Sequence, residues 1–270
     1  MKNNWSTLIF STGLLSCFGA SLTGCEYTAN NVTETGSAEE LLTAQTAALN
    51  AHWGSNTQVS VDDDYVYIES DGYPNHEIQA AYYQNEDTIV EVNAVSGSYK
   101  LPILPQLAIT ATTTTGGPIG VLISGAVFYN PFEGDGVTYA VEGNKLINGY
   151  AFLDSCNGHP VPGSGQYHYH GTPYCITDVL DTESQHSVLI GYMLDGFPIY
   201  GPNGADGNTP NDLDNCNGHI EATAEFTTAS YHYHTSAARP YVPNCFSGQV
   251  TLSGMPPGGM PPGGMPPSGM

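Results

Sequence analysis

Three blocks of this chain occur twice in the same order, and no other feature constrains its fold as strongly. Residues 120–131 read GVLISGAVFYNP and residues 191–202 read GYMLDGFPIYGP, with Gly120/Gly191, Gly125/Gly196, Tyr129/Tyr200 and Pro131/Pro202 coinciding. DSCNGHP at 154–160 is answered by DNCNGHI at 214–220. YHYH at 167–170 is answered by YHYH at 231–234, and a cysteine follows each. Self-similarity in fixed order marks a repeated structural unit. Two homologous units are therefore expected, at 118–175 and 189–248.

A chain of 270 residues, 40 % of them apolar, can bury a full core. Its 32 glycines, 19 prolines and 18 tyrosines favour strands joined by turns. The expected fold class is all-β: an internally duplicated β-rich domain braced by two disulfides. TQVSVDDDYVYIES at 57–70 alternates like a strand pair and runs into a turn at Asp71-Gly72. Residues 107–115 and 120–129 read as strands, and Asp195-Gly196 between GYML and FPIY reads as a hairpin turn. AEELLTAQTAAL has helical character, but the polar stretch 25–56 reads better as a linker.

The N-terminus carries a lipoprotein-type signal over residues 1–24. Lys2 precedes the apolar run LIFSTGLLSCFGASL, and Leu22-Thr23-Gly24-Cys25 has the form of a lipobox whose cysteine takes the lipid. Leu14-Leu15-Ser16-Cys17 is the weaker alternative cleavage site. The mature chain is expected to be exported and tied to a membrane at the cell envelope through Cys25, or free if Cys25 is not processed. Cys156, Cys175, Cys216 and Cys245 then remain, which in an oxidising compartment implies two disulfides. Three pairings are open. The repeat favours Cys156–Cys175 and Cys216–Cys245, each contributing about 3 kcal/mol on the chain-entropy account, and a pairing that crosses between units stays open.

A strand sends alternate side chains to opposite faces. On a YHYH strand, His168 and His170 share one face while Tyr167 and Tyr169 share the other; His232/His234 and Tyr231/Tyr233 repeat this. Two imidazoles on one face can converge on a metal ion, and neutral imidazole suits zinc, copper, iron and nickel. Packing about a pseudo-two-fold axis would bring the two HxH pairs together at one site or at neighbouring sites. His159 and His219 follow Cys-Asn-Gly turns and are further ligand candidates. The competing reading is polar surface over a tyrosine-packed face. His52 and His186 carry no motif and read as ordinary surface.

These blocks resemble the YHYH domain proteins. The resemblance begins at Ser70-Asp71-Gly72-Tyr73-Pro74-Asn75-His76 and continues through GVLISGAVFYNP, CNGHP…YHYH, LDGFPIYGP and DLDNCNGH…YHYH. It closes at RPYVPNCFSG, residues 239–248, and so covers about 60–250. It implies an exported, β-rich protein with one domain over 57–250, and it adds His76 as a ligand candidate. It names no reaction.

The identity of the metal is read from the flanks. Met255, Met260, Met265 and Met270 recur through the low-complexity tail 251–270, and thioethers suit Cu(I). Copper is therefore favoured over zinc. Asp206, Asn208, Asp212 and Asp214 form an acidic loop with the makings of an irregular calcium site, though not of an EF-hand. The net charge of −22 repels nucleic acid and attracts cations. No hydrolase, zincin, P-loop or dinucleotide motif is present. Were the protein a metal-dependent envelope enzyme, Asp195 would be the candidate general base, against its plainer role as the first residue of a hairpin turn. The remaining alternative is a structural or adhesive surface module. Protein partners are not legible.

Overall fold

The computed structural model describes residues 37–78, 91–143, 146–147, 150–151 and 153–250. The signal segment with Cys17 and Cys25, and the methionine tail, lie outside the described residues. Among the described residues no helix is long and apolar enough to cross a membrane.

The structure is mostly β, as expected. It opens with helix α1 (Ala38–Asn50), followed by β1 (Thr57–Val61), β2 (Tyr65–Ser70) and β3 (Gly97–Pro102), which form a three-stranded antiparallel sheet. β4 (Leu107–Thr113) pairs with the last strand, β15 (Cys245–Gly248). Between them lies an eight-stranded sheet. Its members are β5 (Pro118–Leu122), β6 (Val127–Tyr129), β9 (Gly158–Pro160), β10 (Tyr167–Tyr169), β11 (Leu189–Met193), β12 (Pro198–Tyr200), β13 (Gly218–Glu221) and β14 (Ser230–His234). They run in the order β13-β14-β12-β11-β5-β6-β10-β9. Two short strands, β7 (Leu146–Ile147) and β8 (Tyr150–Ala151), pair with each other, and a short helix, α2 (Tyr174–Leu180), follows β10.

The halves of the large sheet have the same pairing senses. β6 runs parallel to β10, which is antiparallel to β9; β12 runs parallel to β14, which is antiparallel to β13. The halves meet where β5 and β11 pair antiparallel. The Asp195-Gly196 turn closes the β11–β12 hairpin as expected. Residues 120–129, expected to be one strand, are also a hairpin, β5–β6, turned at Ser124-Gly125. Both turns need a positive φ, 88° at Gly125 and 91° at Gly196, which glycine adopts without a Cβ clash.

Apolar clusters cover both faces of this sheet. One holds Ile119, Phe128, Met193, Ile199 and the tyrosines Tyr167, Tyr169 and Tyr233. The other joins Val121, Val127, Tyr192 and Tyr200 to Val66, Ile68 and Leu101 of the small sheet and to Ala44 and Ala48 of α1. Part of the expected linker is thus a packed helix. Its start is fixed by a capping box, in which the Ser37 side chain accepts from the Glu40 N–H while the Glu40 carboxylate accepts from the Ser37 N–H. The disulfides are Cys156–Cys175 and Cys216–Cys245, the pairing that the repeat favours.

Candidate metal centres

The D-x-C-N-G-H block is a turn that places a histidine. Asp154 Oδ1 accepts from the N–H groups of Cys156 (2.9 Å) and Gly158 (3.1 Å); Asp214 Oδ1 accepts from Cys216 (2.8 Å) and Gly218 (2.9 Å). Asn157 and Asn217 sit at φ 58° and 64°, a left-handed conformation that asparagine tolerates. Their carbonyls accept from the N–H of the last histidine of each tetrapeptide, His170 (2.9 Å) and His234 (2.8 Å). The glycines are required by close approach, because a Cβ on Gly158 or Gly218 would collide with the hydroxyl of Tyr167 or Tyr231. Those hydroxyls donate to the free oxygens of the same aspartates, Tyr167 to Asp154 at 2.7 Å and Tyr231 to Asp214 at 2.8 Å.

Each tetrapeptide strand then pairs with the histidine of its turn. His168 lies opposite His159, and His232 lies opposite His219. The alternation behaves as expected: tyrosines on one face, histidines on the other. In the first centre the Nε2 atoms of His168 and His170 stand 3.0 Å apart, and the His159 ring lies 4.3 Å from that of His168. In the second, His232 and His234 are 3.1 Å apart through Nε2, and His219 Nε2 is 3.2 Å from His234 Nε2. All six imidazoles are buried.

The outer nitrogens fix the tautomers. His168 Nδ1 faces the Gln166 carbonyl (3.2 Å), His170 that of Asn130 (2.7 Å), His232 that of Ser230 (3.0 Å) and His234 that of Gly201 (2.7 Å). A carbonyl only accepts, so each Nδ1 carries the proton and each Nε2 presents a lone pair. Burial holds these rings neutral. It pushes His170 down to about 4, His232 to about 3 and His234 to about 2, and it pushes His168 well below the ordinary histidine range. A tyrosine backs each pair: Tyr129 lies 4.0 Å from the His168 ring and Tyr200 lies 5.0 Å from that of His232. These groups are donor sets that could hold a metal ion.

Several expectations need correction. The two HxH pairs do not converge. β14 and β10 are five strand steps apart in one sheet, about 24 Å at the usual strand spacing. His76 belongs to neither centre: it lies on the tyrosine face, with Nε2 2.7 Å from the Tyr169 hydroxyl and Nδ1 2.9 Å from the Glu77 carbonyl. Cys156 and Cys175 lie beside it, but a disulfide leaves them no thiolate to offer a metal. Asp195 is fully buried on that same face. It accepts from the Tyr233 hydroxyl (2.5 Å) and the Gly248 N–H (2.9 Å), so it anchors the tetrapeptide and stands away from the imidazoles. The carboxylates of the calcium-candidate loop serve other partners. Asp206 caps the Asn208 N–H, Asp212 takes His219 Nδ1 at 2.9 Å, and Asp214 holds its turn.

Sequence reasoning missed two residues. His186, read as surface, is half-buried with Nε2 3.3 Å from His232 Nε2, and it is steered by the Ser187 carbonyl (2.7 Å). It arrives from a loop pinned by Asp181, which accepts from the Ser187 hydroxyl and the Val188 N–H, and no local pattern announces it. Glu221 Oε2 lies 3.8 Å from both His186 Nε2 and His219 Nε2. Its signal was available, because a residue two along a strand from His219 shares its face.

A family model described as YHYH protein matches residues 98–211 and 205–248. No curated protein and no solved structure matches the chain.

Proposed function

The chain belongs to the YHYH family, and from that premise we propose that it binds transition-metal ions at two separate histidine centres, with copper as the ion of first choice. The observation that carries this is the opposition of Nε2 lone pairs at 3.0–3.1 Å within the buried, neutral imidazole pairs His168/His170 and His232/His234. With Nδ1 protonated, neither ring of a pair can donate to the other, so the contact needs a cation between them. A shared proton would put charge into a buried site, where desolvation opposes it. A metal ion with bonds of 2.0–2.1 Å separates adjacent nitrogens by about 2.9–3.6 Å, for angles from 90° to 120°. The observed spacings lie in that range. Carbonyl partners on the outer nitrogens are the usual support for metal-bound histidine.

Copper is put first for two reasons: imidazole is a good copper ligand, and a methionine-rich tail adjoins the domain in sequence. We propose further that the protein is exported and anchored through Cys25 at the cell envelope. The lipobox supports this, and so do the two disulfides, which persist in oxidising compartments. We also infer that the two centres descend from one duplicated unit, supported by their shared turn geometry and pairing senses.

The test is metal uptake by the mature, disulfide-bonded chain offered copper or zinc after chelation. Two tightly held equivalents per chain are expected, falling to none in a His168→Ala/His170→Ala/His232→Ala/His234→Ala variant that still folds. A folded wild type that retains no metal would reject the proposal.

A further inference from the structure

The second centre holds more donors than the first. His186 Nε2 is 3.3 Å from His232, His232 is 3.1 Å from His234, and His234 is 3.2 Å from His219. Glu221 Oε2 then bridges back, 3.8 Å from His219 and 3.8 Å from His186. Four imidazole nitrogens and one carboxylate oxygen thus form a closed ring of donors. A second carboxylate, Asp212, stands behind His219 on Nδ1. In the first centre the corresponding strand position, two residues beyond His159, is Val161, and the residue preceding β5 by the same offset as His186 precedes β11 is Thr115.

Resting on the metal-binding reading above, we propose that the second centre is a five-donor N4O site, with His186 and Glu221 as ligands, built for a divalent first-row ion. A carboxylate oxygen is a hard donor, matched to a divalent ion and poorly matched to Cu(I), which prefers thiolate and thioether. A carboxylate on the outer nitrogen orients a metal-bound histidine and fixes its tautomer, and Asp212 occupies that position on His219. The donors form two triads that share His232, namely His186, His232 and His234, and His219, Glu221 and His232, with the donor atoms of each triad within 4.8 Å of one another, so side-chain rotations about the shared ligand would gather the five donors on one ion. The carboxylate edges, 3.8 Å each, are longer than the nitrogen edges. Cu(II) stands highest among divalent ions for such donors, which makes it the probe.

The test uses the mature full-length chain carrying His168→Ala/His170→Ala, so that only the second centre is read. Glu221→Gln and His186→Asn are compared with this parent. Glutamine keeps an oxygen for the Ala205 N–H that Glu221 accepts at 3.0 Å, so the fold is preserved. Thermal unfolding of the metal-free proteins checks this. Each substitution is expected to weaken Cu(II) by about tenfold or more, to change the Cu(II) electron-paramagnetic spectrum, and to leave Cu(I) affinity within about twofold for Glu221→Gln. Unchanged Cu(II) affinity and spectra in both variants, with the parent still binding one equivalent, would overturn the five-donor assignment and leave the metal-binding proposal standing. A folded parent that binds neither copper ion nor zinc would overturn the five-donor assignment and the second of the two proposed centres.

Discussion

The two histidine centres share a frame and differ in what fills it. Each sits near one edge of the same eight-stranded sheet, on a D-x-C-N-G-H turn tied down by a disulfide. Each takes two histidines from a YHYH strand and backs them with a tyrosine. The frame therefore places three imidazoles and fixes the tautomers of the two on the YHYH strand. The difference comes from residues that the frame does not dictate: His186 on a preceding loop, Glu221 two along β13, and Asp212 behind His219. Two like backbone frames can thus hold the same nitrogen set while neighbouring positions alter charge and donor number.

The tyrosine face shows the same pattern. Tyr233 donates to Asp195 and Tyr169 donates to Ser124, residues that occupy matching turn positions. Tyr169 has a second neighbour in His76, whose Nε2 lies 2.7 Å from its hydroxyl.

Metal removal gives the largest expected effect. If the ions are held with free metal about 1,000-fold above Kd, chelation removes about 4 kcal/mol per centre, which would appear as a marked fall in melting temperature. Deleting the second centre's histidines should leave the first centre's share of that fall intact, and a total loss would mean the centres are coupled.

The metal-free protein should also lose stability in acid. Burial depresses the folded pKa values of His170, His232 and His234 to about 4, 3 and 2. The unfolded value is about 6.5. Between these limits the unfolded chain binds more protons, so stability is present above pH 6.5 and declines as pH falls towards the folded values. The slope is about 1.4 kcal/mol per pH unit for each group. Urea melts of metal-free protein at pH 7, 6 and 5 measure it, and flat stability would contradict the buried, neutral assignment.

Crowding the turn comes next. Gly218→Ala and Gly158→Ala should each cost about 1–3 kcal/mol, because the added methyl meets a tyrosine hydroxyl. Chemical denaturation reads both, and equal tolerance of alanine at both sites would break the account of the turn. The tyrosine anchors give a further comparison. Asp195→Ala strands the Tyr233 hydroxyl and the Gly248 N–H, at about 1–3 kcal/mol for each buried group. Ser124→Ala should cost less, since His76 still meets Tyr169. Neither should alter metal stoichiometry. Loss of metal in Asp195→Ala at full folding would restore a functional role to that carboxylate.

Much of the site could be read in the sequence because it is local. Alternation in YHYH assigns faces, and Asp, Asn, Gly and His in one short block specify the turn and its histidine. The capping box at Ser37-Ala38-Glu39-Glu40 was equally legible and outweighs the polar composition that reads as a linker. What could not be read depends on strand order. The repeat alone does not say that β5 and β11 pair at the centre, which carries the two HxH strands to opposite sides instead of bringing them together. His186 is brought in by a loop, and no periodicity reaches across it. His76 belongs to a recognisable block, but its side chain serves the tyrosine face.

On this reading two metal centres lie apart in one sheet, and a crystal would show it. Anomalous diffraction from crystals of the mature protein soaked in copper tests it most directly. Two peaks about 24 Å apart are expected, one bounded by His159, His168 and His170 and the other by His186, His219, His232 and His234 with Glu221. A single peak shared by both tetrapeptides, or ordered copper-soaked crystals with no peak at either imidazole group, would contradict it.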